Sequence, residues 1–225
     1  TNLNIKYGVN TECNGFHFVG DCSHSQFDDA ENVVFRSQPG KYSIFDWSKD
    51  FIQLNFKPKV MKGYLGKLYI FGRDRMVIAN PQTLVIEDEI TGIGCSNKKA
   101  VKVTPTGMYW CDNSNIYNST PQITKIGTKI QKQETYGWSN LSDSVKDNAV
   151  LGYDTIRQAV LIFFSTDAST PEHRCWAYSA STRRWDLWDT SHKVYDTVES
   201  KTGHAILLLS NGRICKYSNG SNSKN

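Results

Sequence analysis

Ala159–Phe164 reads Ala-Val-Leu-Ile-Phe-Phe, apolar at every position, with turn residues on both sides. Ala205–Leu209, Ala-Ile-Leu-Leu-Leu, repeats the pattern. Such short runs make poor buried helices. A strand wetted on one face alternates apolar and polar residues, so an unbroken run predicts a strand covered on both faces. A two-layer sandwich leaves one face of each sheet in water. A propeller stacks blade on blade and covers both faces of its inner strands. The two stretches therefore predict an all-β, propeller-like fold and place a sandwich second.

Each run belongs to a larger unit: an apolar run, a tight polar turn, and a second apolar run ending near Tyr or Trp. Further copies are Gly66–Ala79 (GKLYIFGRDRMVIA) and Gly107–Tyr117 (GMYWCDNSNIY); the later two run from Ala159 to Tyr178 and from His204 to Tyr217. Their starts fall roughly 40–50 residues apart, the period of propeller blades.

Between these units the pattern continues as strand and turn. Gly15–Gly20, Asn32–Arg36 and the alternating Phe51–Phe56 read as strands, with Ser37-Gln-Pro-Gly as a turn. Leu68–Phe71 and Met76–Ala79 form a hairpin across Gly72-Arg-Asp-Arg; Thr83–Glu87 and Ala100–Val103 follow. A strand and a short helical turn both fit Ile123–Ile130, and polar Gln131–Asn148 is the one place for a helix. Val150–Tyr153, Cys175–Tyr178, Arg184–Trp188, Thr197–Glu199 and Arg213–Tyr217 complete the strand list. Residues 1–58 read as a strand-rich segment, 59–217 as propeller-like blades, and 218–225 as a flexible polar tail. The chain starts without Met inside a strand-like pattern and shows no signal peptide, which reads as a piece of a longer polypeptide.

Composition narrows the function classes. At 225 residues one large β domain can bury a core without staples. No apolar run approaches the length of about 18 residues needed for a membrane helix. The net charge of +4 is small and its cations are scattered, so no specific nucleic-acid surface is expected. The six cysteines (13, 22, 95, 111, 175 and 215) are few for a disulfide scaffold and read as small buried hydrophobes. Asn118, Asn140 and Asn219 head glycosylation-type triplets that chance explains in a chain without a secretory signal.

Several constellations carry groups capable of chemistry. Cys13, His17, Cys22 and His24 carry zinc-type donors at a spacing wrong for common sites; His17 would share a strand face with Val19, opposite Phe16 and Phe18. Asp28, Asp29 and Glu31, and then Glu87, Asp88 and Glu89, group carboxylates without calcium-loop spacing, and both read as solvated turns. Gly94-Cys95-Ser96 has no His nearby in sequence, and no nucleophile elbow or phosphate loop occurs. Trp176, Trp185 and Trp188 suit either a stacking surface or blade packing, and packing is the reading taken. No catalytic, cofactor-binding or metal-binding residue is assigned.

The centre of the chain resembles the propeller segment of bacteriophage tail structural proteins of the nozzle or tail-tube-associated kind. The resemblance rests on Gly66-Lys-Leu-Tyr-Ile-Phe-Gly; on Gly92-Ile-Gly-Cys-Ser with Gly107-Met-Tyr-Trp-Cys-Asp, Asn115-Ile-Tyr and Thr120-Pro-Gln-Ile-Thr-Lys-Ile; and on Cys175-Trp-Ala-Tyr-Ser-Ala-Ser-Thr-Arg-Arg-Trp. Together these cover about half the chain. Asn115 stands where that pattern has Gly, a change expected to alter only the turn type, and Ser179 stands where it has Asp. The resemblance implies a non-catalytic virion tail component, assembled in the host cytoplasm as a homo-oligomeric ring with other tail proteins. A receptor- or glycan-binding propeller is the first alternative and a propeller-scaffold glycoside hydrolase the second.

Overall fold

The computed structural model describes residues 6–23, 30–133 and 135–217. It is an all-β, β-propeller-like array of antiparallel sheets in two compact units, Thr1–Lys98 and Lys99–Asn225. His24, Asp28, Asp29, Asn219 and the tail 218–225 lie outside the described residues.

The first unit holds two sheets. β1 (Lys6–Cys13), β2 (Phe16–Ser23), β3 (Val33–Gln38) and β4 (Lys41–Phe45) pair in chain order, and β5 (Phe51–Gln53) also pairs with β3. β6 (Val60–Tyr64), β7 (Lys67–Phe71), β8 (Arg75–Ala79) and β9 (Ile86–Thr91) form a four-strand meander. The β1–β2 hairpin turns on Asn14-Gly15, both at positive φ (49° and 77°), the geometry that matches strand twist. Phe16, Phe18, Val34 and Ile52 of the first sheet pack on Met61, Leu68, Ile70 and Val77 of the second. Where the two sheets touch, a Cβ on Gly63 would lie 2.6 Å from the Glu12 carbonyl oxygen and 2.9 Å from Cys13 Cβ, so only glycine permits this approach. The first sheet's other face is covered by its own chain: Val19, Cys22 and Phe35 lie under Ala30, Phe45 and Trp47.

The second unit holds three sheets: β10 (Val101–Thr104) to β11 (Gly107–Cys111), β12 (Ile116–Ser119) and β13 (Ile123–Lys125); β14 (Val150–Asp154) to β15 (Ala159–Ser165), β16 (His173–Ser179) and β17 (Arg184–Asp189); and β18 (Val194–Glu199), β19 (Ala205–Leu209) and β20 (Ile214–Lys216). Strand register places Leu161, Phe163 and Cys175 on one face of the middle sheet and Val160, Ile162 and Trp176 on the other. All six are buried, at roughly 1.5–3 kcal/mol for each large side chain, so β15 is covered on both faces as its sequence predicts. The first face meets Val194, Ala205 and Leu207 of the last sheet. The second carries Tyr178, whose ring centroid lies 6.3 Å from that of Tyr109 on β11. Between β13 and β14 run two 3-10 turns (Gly127–Ile130 and Trp138–Asn140) and α1 (Asp143–Asp147), started by Ser142, whose side chain accepts from Val145 N–H.

Four sequence readings need correction. β19 is not covered on both faces: Leu208 is 40% exposed, because only the Ala205–Leu207 side meets a neighbouring sheet. Phe51–Phe56 pairs only to Gln53, after which Leu54 N–H turns to the Asn32 carbonyl. Thr83 and Leu84 belong to a turn held by Asn80 Oδ1, which accepts from Gln82 and Thr83 N–H, so the strand begins at Ile86. Glu87, Asp88 and Glu89 therefore lie on the exposed edge strand β9, not in a turn. At Asn115 the turn needs no left-handed residue: its N–H and that of Ser114 are both accepted by Asp112 Oδ1. Ile123–Ile130 divides between both options left open, strand to Lys125 and 3-10 turn from Gly127.

Candidate functional site

Among the described residues the zinc-type donors Cys13, His17 and Cys22 are not assembled. Cys13 sits in the core between the first two sheets and donates to the Lys67 carbonyl at 3.4 Å, whereas Cys22 packs on the opposite face. Asp21, at φ 53°, interrupts strand alternation and turns Cys22 to the Val19 side. His17 is held by the Tyr42 carbonyl at 3.1 Å and edges onto Tyr7 and Tyr42. Of the carboxylates, Glu31 pairs with Lys57, Glu87 with Lys67, and Glu89 accepts from Asn55. Cys95 has no exposed surface and so cannot meet a substrate. Five of the six cysteines are buried. Cys215 departs from the buried expectation because β20 is a partly exposed edge strand.

The three tryptophans named in the sequence do not share one stacking surface: Trp176 and Trp188 pack inward, and Trp185 is half-buried at the edge of a groove. Trp176 Nε1–H donates to the Tyr136 carbonyl at 3.0 Å and Trp185 Nε1–H to the Ile126 carbonyl at 3.1 Å. Trp138 Nε1–H donates to the Asp112 carbonyl at 2.9 Å. Each of these indole N–H groups finds an acceptor in a segment that lacks a ladder of its own. Trp188 faces the other way, into the core beneath the last sheet.

One arrangement was invisible in the sequence. In the second unit a groove of about 470 Å³ runs between β12–β13 and the β16–β17 turn. A second hollow of about 240 Å³ shares Asn118, Thr120, Tyr178 and Arg183 with it and reaches Gln158 and Tyr109. Tyr178 and half-buried Trp185 line it, with ring centroids 4.9 Å apart. Burial first, and Tyr109 second, push the Tyr178 phenol up, while Arg183 pulls it back. Lys125, Lys129 and Arg183 bring three cations, and no Asp or Glu is among the lining residues. Lys129 Nζ donates to the Arg183 carbonyl at 3.4 Å and ties the 3-10 turn to the hairpin.

The hairpins around the groove share one backbone device. Gln158 ends the β14–β15 turn at φ 48° and Arg183 ends the β16–β17 turn at φ 55°. Ala180 N–H donates to the Gln158 carbonyl at 3.0 Å, which sets the two turns side by side. Both positions favour glycine, yet both carry long polar side chains into the groove. A signal was present in sequence, since each turn runs four residues and closes without glycine, but which turns would be neighbours was not.

One further polar pair has a catalytic look. Ser165 Oγ lies 2.8 Å from His173 Nδ1 across the open end of the β15–β16 hairpin. Asp167, two residues on, accepts from Ser142 Oγ instead, so this pair lacks an acid that orients the imidazole.

No family model matches the chain, and no curated protein matches it. Among solved structures, it is similar to the extracellular domain of a protein from B. thetaiotaomicron described as a hybrid two component system (15% identity, TM-score 0.57, 96% of this chain and 26% of that one). It is also similar to Kuenenia stuttgartiensis hydrazine synthase (10%, 0.59, 96% and 66%) and to a chain of the mitotic checkpoint complex (9%, 0.54, 95% and 62%). The chain spans about a quarter of the first of these and under two thirds of the last. None of the three is a phage tail protein, and at these identities the likeness is one of fold.

Proposed function

We propose that this chain is a non-catalytic structural module of a phage virion tail, in which copies associate side by side into a closed ring with other tail proteins. The observation that carries the reading is the outer face of the last sheet. Register puts Val198, Ile206, Leu208 and Ile214 on that face, flanked by Asp196 and Lys216. Val198 is 61% exposed and Ile214 73%, a contiguous apolar surface of a kind that marks protein contacts. The occupant proposed is a second copy of this chain. Its first unit offers a matching patch of exposed Tyr7, Tyr42 and Ile44, with Glu12 beside Tyr42 to meet Lys216. Two unlike patches joined head to tail give a heterologous contact, which closes into a ring when its rotation divides a full turn and otherwise runs on as a filament. The resemblance of the central blades to phage tail propellers supports the location.

The test has two arms. Gradient-purified particles of the phage that encodes the chain, once digested, are expected to yield its tryptic peptides stoichiometrically; clean particles without them overturn the tail assignment. In light scattering, the purified protein is expected to be oligomeric, and Ile214→Asp to reduce it to monomer with an unchanged far-UV spectrum. A wild type that stays monomeric at high concentration overturns the ring.

A second reading, a glycan-binding module, is favoured by the aromatic and basic groove of the second unit.

A further inference from the structure

We infer that the groove between β12–β13 and the β16–β17 turn binds an acidic saccharide, with Lys125, Lys129 and Arg183 meeting its carboxylate and Trp185 its ring. This deepens the glycan-binding reading and rests on it.

Three features of the groove select the ligand. The first is charge. The chain carries 26 cations and 22 anions, so a lining with three cations and no carboxylate is an unusual local excess. In a cleft with low-dielectric walls such an excess concentrates anions beyond what the same charges do on an open surface. Arg183 is the best placed of the three, because a guanidinium fork matches a carboxylate bidentately. Among the described residues its side chain forms no ion pair, whereas Arg36, Arg157, Arg174 and Arg184 each hold a carboxylate of the protein; Arg73 and Arg213 likewise form none but do not line the groove.

The second feature is the lining chemistry. Asn118 and Gln158 supply amides, and Thr120 and Thr124 supply hydroxyls, around a partly exposed indole. Amides and hydroxyls suit a polyhydroxy ligand, while the aromatic ring accepts the apolar face of a sugar. A volume of about 470 Å³ falls within the range of small-ligand sites and suits one or two sugar units. A nucleic-acid strand would ask for a longer basic track along its phosphates. A wider depression does continue from Lys129 over Lys132 to Tyr136, which gives room for a longer oligosaccharide.

The third feature is backbone conformation. Gln158 and Arg183 both hold left-handed φ without being glycine, and both side chains reach this groove. Asn14, Asp21, Leu65 and Leu84 hold the same conformation elsewhere, so it is the shared groove, and not the left-handed φ alone, that marks these two positions. Replacing Arg183 with glycine relieves the strain and leaves the Lys129 contact to its carbonyl in place.

The experiment is calorimetric titration of the full chain with trigalacturonate and with sialyllactose, against neutral maltotriose and lactose, at low and high salt. At least one acidic sugar is expected to bind, salt-sensitively and about tenfold or more tighter than its neutral counterpart, equivalent to about 1.4 kcal/mol. Arg183→Gly is expected to weaken that binding about tenfold while holding or raising the melting temperature; Lys125→Gln, at an exposed position, is expected to weaken it several-fold. Equal affinity for acidic and neutral sugars overturns the inference and leaves the glycan reading standing. No binding of any of the four at millimolar concentration overturns both. Displacement of the acidic sugar by a single-stranded oligonucleotide at lower concentration assigns the groove to nucleic acid and overturns the saccharide. A binding isotherm unchanged in Arg183→Gly places any saccharide elsewhere on the chain.

Discussion

The carboxylate of Asp154 is wholly buried, and it accepts the backbone N–H of Arg157 at 2.9 Å while pairing with the same residue's guanidinium at 3.3 Å. Arg157 in turn lies over the Tyr217 ring, 5.4 Å from its centroid, and donates to the Tyr217 carbonyl at 3.4 Å. One anion at a hairpin turn thereby ties β14 and β15 to the residue that follows β20. His204 Nδ1 stands 3.7 Å from the same carboxylate. Removing Asp154 strands these donors, because a buried charge is expensive once its partner is gone. Asp154→Ala is expected to cost about 3 kcal/mol in urea denaturation, with Asp154→Asn intermediate. A loss under about 1 kcal/mol would show that water replaces the carboxylate freely.

Thiol reactivity should divide the cysteines sharply. Burial, and then the neighbouring Asp21 charge, push the Cys22 thiol up to about 11. Burial also raises Cys13, and it raises Cys175 furthest. Thiolate is the reacting species, so these three should resist alkylation at neutral pH. Cys215, half-exposed on β20, is expected to label first with iodoacetamide, and the other five only in denaturant. Peptide mapping by mass spectrometry reads this directly; early labelling of Cys175 would mean that the middle sheet opens readily.

His173 supplies a pH dependence of definite sign. Burial first, then His192 and Lys193, lower its pKa below the usual histidine value. The folded state therefore favours the neutral imidazole, whose Nδ1 can accept from Ser165 Oγ at 2.8 Å. Stability from this group is complete above the unfolded histidine pKa, near 6.5, and is lost as pH falls from there through the lowered folded value. Melting temperature should fall with pH across that window, and His173→Gln should flatten the slope. An unchanged slope in the variant would assign the dependence to other groups.

How much was legible can be argued from particular residues. The hairpin of Leu68–Phe71 with Met76–Ala79 and the both-face burial of Ala159–Phe164 were readable, because unbroken apolar runs and turn chemistry act over neighbouring residues. The inward role of Trp176 was readable as packing, though its acceptor, the Tyr136 carbonyl, was not. β19 shows the limit. Its sequence looks like that of β15, yet Leu208 faces outward, because burial belongs to the sheet that packs against a strand and not to the strand alone.

The sequence by itself determined an all-β chain of short antiparallel sheets, since alternation, apolar runs and turn residues are local instructions. Only the tertiary structure decided what gathers around Tyr178. Asn118, Gln158, Arg183 and Trp185 come from separate strands and turns, and they share one groove only once the second unit's sheets have packed together. Spatial convergence of distant segments is set by that packing, and local pattern carries no record of it.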